Sequence, residues 1–166
     1  TVQTVRLAFA GHNDQPYASV GRWLIQQGEL RPDAASWPAI KDWARRNPQR
    51  VQQMLWQNPR YVFFKMAEDD GKEPVGSAGV SLPPGRAIAV DPSRHAYGAL
   101  YWLDASAPAL AGAFPVYRRL AVALDTGGAI KGDVRADLYM GTGPEAGAEA
   151  GRVRHVLRLY RLVPKP

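Results

Sequence analysis

The sequence has no cysteine, which excludes disulfides, thiolate catalysis and any Cys-based zinc site, and favours an oxidising compartment only weakly. It has no apolar run near the ~20 residues that span a bilayer, no initiator Met and no signal-like apolar segment. No internal repeat is visible. The histidines His12, His95 and His155 have no metal-ligand spacing, and no Gly-x-Ser-x-Gly nucleophile elbow is present. Gly141-Thr-Gly-Pro-Glu-Ala-Gly147 opens a helix and its backbone N–H groups suit an anion, but it lacks the Gly-Lys-Ser/Thr ending of a nucleotide-binding loop. Neither a metal nor a cofactor is expected.

What the chain does have is ordinary for a globular protein: 46% hydrophobic and 22% charged residues in a length of 166, enough for one domain or one compact domain with an extra lobe. Twenty-one basic residues against 15 acidic ones give a net charge of +6, which attracts polyanions. The arginines are scattered and no nucleic-acid module appears, so nucleic acid is not the expected partner. An acidic cell-wall glycan explains the charge equally well.

Two regions differ in periodicity. Val2–Ala10 alternates as a strand from the very start, an opening that suits a fragment or a processed piece. The polar loop Gly11-His-Asn-Asp-Gln-Pro-Tyr17 follows. Ser19 is placed to cap a helix carrying Val20, Trp23 and Leu24, with Gly28 as its stop. Ser36 caps a second helix with Trp37, Ile40 and Trp43, whose tryptophans read as helix core rather than sugar platforms. Asn47-Pro48 breaks that helix and starts a third, Asn47 serving as N-cap, with Val51, Met54 and Leu55 on it. From Tyr61 the pattern turns to short strands between Gly/Pro loops: Tyr61–Met66, Arg86–Val90, Ala99–Leu103, Arg119–Leu124, Ala136–Met140 and Leu157–Val163. Thr142-Gly-Pro-Glu145 has the form of a capping box for a helix running to about Arg154. Ala105–Phe114 reads as a surface loop or insertion.

Asp91 and Asp125 end strands in Asp-Pro and Asp-Thr-Gly sequences, where Asp commonly serves turn geometry. Asp137 stands inside the Ala136–Met140 strand without Gly or Pro beside it, against local preference, and function often overrides propensity at such positions. The single Asp125-Thr-Gly copy leaves an aspartic protease only as a homodimer, a minor alternative.

Several long stretches resemble the MltA family of membrane-bound lytic transglycosylases. They are Ala10-Gly-His-Asn-Asp-Gln-Pro-Tyr-Ala-Ser-Val-Gly-Arg-Trp-Leu24, Asn58–Lys65, Gly79–Pro92, Asp125-Thr-Gly-Gly-Ala-Ile-Lys-Gly132, and Arg135-Ala-Asp137 with Gly141–Gly147 and Ala150-Gly151. They cover nearly the whole chain, in order. The family's three-aspartate (3D) domain maps onto Asp91, Asp125 and Asp137. Ala96-Tyr97-Gly98 departs from the family's Pro-Leu-Gly after its Asp-Pro, and the family extends further at the N-terminus.

The resemblance implies a mainly β fold with N-terminal helices: a six-stranded double-psi β-barrel that is the C-terminal part of a two-lobed protein. Residues 1–18 would end a second, groove-forming lobe, 19–60 would be a helical segment on the barrel, and 61–166 the catalytic 3D domain. It implies cleavage of the β-1,4 bond between N-acetylmuramic acid and N-acetylglucosamine. The muramyl C6 hydroxyl attacks its own C1 and leaves a 1,6-anhydro end. Asp137 would act as acid and then as base. A carboxyl of ordinary acidity, ~3.9, is ionised at neutral pH, so proton donation calls for burial or a neighbouring carboxylate. Asp125 is the candidate neighbour, weighed equally against a role in holding the Thr126–Lys131 loop. Asp91 completes the catalytic set. Asn13, Tyr17, Ser19, Arg22, Lys131 and Tyr139 are candidate glycan contacts, Ser19 doubling as a cap and Lys131 also reading as a solvated surface residue.

The partners implied are peptidoglycan strands, with a missing N-terminal part or a second chain to complete the groove. Membrane attachment would come only through an anchor outside this chain, in the periplasm of a Gram-negative bacterium at its outer membrane. A non-catalytic wall-binding barrel and a two-carboxylate hydrolase remain as alternatives.

Overall fold

In the computed structural model, which describes residues 5–106 and 116–165, the chain divides into two units, Thr1–Asp70 and Gly71–Pro166.

In the first unit, β1 (Arg6–His12) pairs antiparallel with β2 (Val62–Ala67), from Arg6 opposite Ala67 to His12 opposite Val62. Between these strands lie the helices. Ser19 caps α1 (Val20–Gln26) by accepting from the Arg22 N–H at 3.2 Å. The chain leaves α1 through Gly28 at φ +72°, a left-handed turn that costs glycine little. Ser36 likewise caps α2 (Trp37–Arg46), accepting from Ala39 N at 3.3 Å. Arg45 and Arg46 sit in its last turn, where positive charge suits the helix dipole.

Asn47 does not cap the following helix as expected. Its amide donates backward to the Trp43 carbonyl at 2.9 Å, satisfying one of the orphan carbonyls that every helix end leaves. A 3-10 turn (Pro48–Arg50) then leads into α3 (Val51–Leu55). Leu24, Trp43 and Met54 form the buried core, with Val20, Trp23 and Ile40 packed against it. Trp37, read as core from its spacing, is 65% exposed. At 3.6 residues per turn, positions 37 and 43 lie about 120° apart around the helix, so only one of them faces the core.

The second unit is built on a five-stranded sheet in the order β6-β3-β5-β4-β7. Its strands are β3 (Ala87–Ala89), β4 (Leu100–Ser106), β5 (Val116–Asp125), β6 (Asp137–Leu138) and β7 (Val156–Arg161). β3 and β5 run parallel and the other neighbours antiparallel. Alternation along β4 buries Tyr101, Leu103 and Ala105, and along β5 Tyr117, Ala121 and Ala123, as a period of two requires. Ile88 and Val90 complete the core, and Leu138, Leu157 and Leu159 pack against it.

The Tyr61–Met66 run, assigned from sequence to the barrel, forms β2 and pairs with β1. The sheet of the second unit therefore has five strands among the described residues. The capping box at Thr142 is absent: Gly143 is the N-cap of α4 (Pro144–Ala150), at φ +95° and with no side-chain cap bond. Starting one residue later puts Pro144 at the first helical position, where its missing N–H costs nothing, and Gly143 takes a conformation that threonine avoids. Of the expected 105–114 loop, Ala105 and Ser106 belong to β4 and the remainder lies outside the described residues. Among the described residues no helix is long and apolar enough to cross a membrane.

Candidate active site

The three aspartates occupy three different environments. Asp91 is buried, at 4% exposure. One carboxylate oxygen accepts from the Ser93 hydroxyl at 2.8 Å and the Ser93 N–H at 3.1 Å, and the other from the Gly132 N–H at 3.0 Å. The Lys131 ammonium stands 3.9 Å away. The Gly132 backbone bond first, then the Ser93 donors, lower its pKa to about 2. Asp91 is thus an ionised clamp that ties the turn after β3 to the 126–134 loop. His95 reinforces the tie. Its Nε2 lies 3.0 Å from the Asp133 carbonyl and its Nδ1 2.9 Å from the Tyr101 hydroxyl. A carbonyl only accepts, so Nε2 carries a proton and donates to it.

Asp125 holds a different loop from the one anticipated. Its Oδ1 accepts from the Ser77 N–H at 3.0 Å and the Ser77 hydroxyl at 2.8 Å, while the Ala78 N–H donates to the Leu124 carbonyl at 3.0 Å. The Thr126–Lys131 loop, one of the two roles weighed for Asp125, is instead tied at its end by Asp91 through the Gly132 N–H.

Asp125 and Asp137 flank the same residue, Ala89, on opposite sides of β3. Two strand spacings put their backbones roughly 10 Å apart, beyond the reach of a shared proton. Asp137 is half exposed and meets a guanidinium instead. Arg135 Nε donates to one oxygen at 2.7 Å and a terminal nitrogen to the other at 3.2 Å, a two-point fork on the carboxylate. That pairing raises the Arg135 pKa further.

Beside the fork lies a cleft of about 580 Å³. Ile88, Leu103, Leu138 and Leu157 contribute apolar lining, and Arg135, Asp137, Arg154 and His155 contribute polar groups. Tyr117 also faces it, its ring edge-on to His155 at 4.9 Å and its hydroxyl bonded to Glu149. Burial, and then Glu149, push the Tyr117 pKa up to about 12, so it stays a neutral phenol. Among the described residues lining the cleft, Asp137 is the only carboxylate.

The anticipated glycan contacts fall into separate groups. Asn13 is committed to backbone: it donates to the Pro59 carbonyl at 2.9 Å and accepts from Tyr61 N at 2.9 Å. Ser19 is occupied as a cap, whereas Tyr17 and Arg22 are exposed. All four lie in the first unit. In the second unit, Lys131 stands beside Asp91 and is 65% exposed, and the Tyr139 hydroxyl donates to Glu73. Sequence reasoning missed Arg135, Ser77, Gly132 and His95. Arg135 had a signal, because residues two apart on an extended segment project to one side.

Residues 2–65 match the model of the MltA-specific insert domain, and residues 86–163 match that of the 3D domain. The membrane-bound lytic murein transglycosylase A of Vibrio cholerae is 40% identical over 163 residues, covering 93% of this chain. The chain belongs to the MltA family. The Escherichia coli K12 MltA, also described as a membrane-bound lytic murein transglycosylase A, is 39% identical over 96% of the chain. Among solved MltA-type structures, the membrane-bound lytic murein transglycosylase of Agrobacterium tumefaciens superposes with a TM-score of 0.83 at 38% identity, covering 96% of this chain and 44% of that one. E. coli MltA with bound chitohexaose gives 0.83 at 36%, covering 98% and 48%. The chain spans 42% and 44% of the length of the V. cholerae and E. coli relatives.

Proposed function

We propose that this chain carries the acid–base carboxylate of a peptidoglycan lytic transglycosylase, and that this carboxylate is Asp137. One observation supports the choice above the others: Asp137 is the only carboxylate among the described residues that line the cleft, while Asp91 and Asp125 are engaged in holding loops. A conventional glycosidase needs two carboxyl groups, ~5–5.5 Å apart if retaining and ~6.5–9.5 Å apart if inverting. Intramolecular attack by the muramyl C6 hydroxyl needs one. Asp137 protonates the glycosidic oxygen between N-acetylmuramic acid and N-acetylglucosamine, then takes the C6 hydroxyl proton as the 1,6-anhydro ring closes.

Asp125 and Asp91 serve this reading as positioning residues, through the Ser77 loop and through the 126–134 loop that leads into Arg135 and Asp137. Tyr17, Arg22, Lys131 and Tyr139 are proposed glycan contacts, with Asn13 and Ser19 shaping the loop that presents the first two. We read the five-stranded sheet as part of a six-stranded double-psi barrel in a two-lobed enzyme, residues 1–18 ending the second lobe. The site of action would be the periplasm of a Gram-negative bacterium, next to the outer membrane; the names of the relatives say membrane-bound.

Digestion of purified sacculi, with the products read by mass spectrometry, tests the proposal. Wild-type chain should release 1,6-anhydromuropeptides, and Asp137→Asn should release none while melting at the same temperature. Reducing ends would mean a hydrolase, and binding without product a wall-binding module. Full activity of the variant would remove Asp137 from the mechanism.

A further inference from the structure

The fork between Arg135 and Asp137 conflicts with the first step just described. A guanidinium bonded to both oxygens stabilises the ionised carboxylate, whereas an acid must hold a proton. Both side chains are 50% exposed and both line the cleft, so the pair is accessible to an incoming ligand. The proposed substrate class brings its own carboxylates, on the stem peptide or, where the peptide has been removed, on the muramyl lactyl group. Arg135 sits on irregular backbone just before the two-residue strand β6, and its side chain is long enough to exchange one carboxylate for another.

We propose that Arg135 is a positioning and specificity residue with two alternative partners. In the free site it grips both oxygens of Asp137. When an acidic muramyl glycan enters, Arg135 transfers to the substrate carboxylate and leaves both oxygens of Asp137 open to the glycosidic bond. No covalent bond changes in this exchange: one ion pair replaces another. Asp137 is therefore released by the charged substrate and not by a neutral glycan that merely fits. Arg154, His155 and Tyr117, which line the same cleft, and Asp125 beyond Ala89 are the other ionisable groups around Asp137. This inference rests on the reading of Asp137 as the acid.

The test compares two ligands on the full chain, the neutral oligomer chitohexaose and a muramyl-containing glycan that bears lactyl carboxylates. Arg135→Gln should weaken the muramyl glycan roughly 10- to 100-fold, the worth of a charge-assisted hydrogen bond, and leave chitohexaose binding unchanged. Arg135→Lys, which keeps the charge but not the fork, should fall between. In turnover of sacculi the loss should appear in KM rather than kcat. Equal weakening of both ligands, no weakening of either, or a loss confined to kcat would each overturn the exchange. A wild-type chain that binds the two glycans differently through Arg135 yet forms no anhydro ends would sink the catalytic reading alone.

Discussion

The residue scale explains why three aspartates of one domain do different work. A carboxylate surrounded by N–H and O–H donors becomes a structural anion, and Asp91 has three such bonds. Its sign is clear: the pKa is lowered, to about 2, below the ordinary value of ~3.9. Its contribution is complete above pH ~4 and disappears as pH falls through ~2. Asp91→Asn should therefore melt well below wild type at neutral pH, and the gap should close in acid. Thermal scans of both proteins between pH ~7 and ~2 check this, and a gap that persists at the acid end would mean that Asp91 acts through packing and not through charge. The sequence already placed Asp91 in turn chemistry, and Ser93 two residues on bears that reading out. Its bond to Gly132, across 41 positions, was invisible because no local pattern records which distant backbone N–H arrives. The same limit hid Ser77, 48 positions from Asp125.

Elements were more legible than their partners. Ser19 and Ser36 act as the N-caps expected of them, and Gly28 ends α1, because caps and stops are short-range chemistry. Strand β5, expected over Arg119–Leu124, runs from Val116 to Asp125, since pairing with β4 extends it past its most apolar stretch. Strand β6 shrinks to Asp137–Leu138, leaving Met140 and Ala136 outside it. What periodicity could not supply was close approach. Gly76 has an ordinary φ, yet a Cβ there would come within 2.5 Å of both the Leu124 carbonyl oxygen and Leu82 Cδ2. The loop that Asp125 anchors can pass this close to β5 only without a side chain. Gly76→Ala should force the loop off the strand and lower stability by roughly 1–3 kcal/mol, the usual cost of overpacking, as read by chemical denaturation. In the first unit, Trp43→Ala should remove about 3–5 kcal/mol by opening a cavity against Leu24 and Met54, and it also leaves Glu29 without the indole donor at 2.9 Å. Trp37→Ala, at an exposed position, should lie within about 0.5 kcal/mol of wild type. Equal effects at the two tryptophans would contradict the assignment of Trp43 as core and Trp37 as surface.

At the scale of the whole molecule, charge is the property that survives from composition to function. The excess of six positive charges is spread over scattered arginines, many of which are exposed and already paired with carboxylates, as Arg118 is with Asp104 and Arg45 with Asp42. Such exposed pairs contribute little to stability. Their arrangement matters instead for the field felt by an approaching polymer. A sacculus offers a dense array of carboxylates, so capture of the chain should have a long-range part that salt screens and a short-range part, at the cleft, that it does not. The Debye length falls from ~10 Å at 0.1 M salt to ~3 Å at 1 M. The fraction of wild-type chain that sediments with purified sacculi should therefore drop steeply over that range, while binding of neutral chitohexaose should hardly change. Asp137→Asn, which removes one negative charge at the site, should follow the same salt curve or sit slightly above it. If sedimentation with sacculi is indifferent to salt, the net charge takes no part in recognition, and the affinity must come from uncharged contacts such as those proposed for Tyr17 and Tyr139.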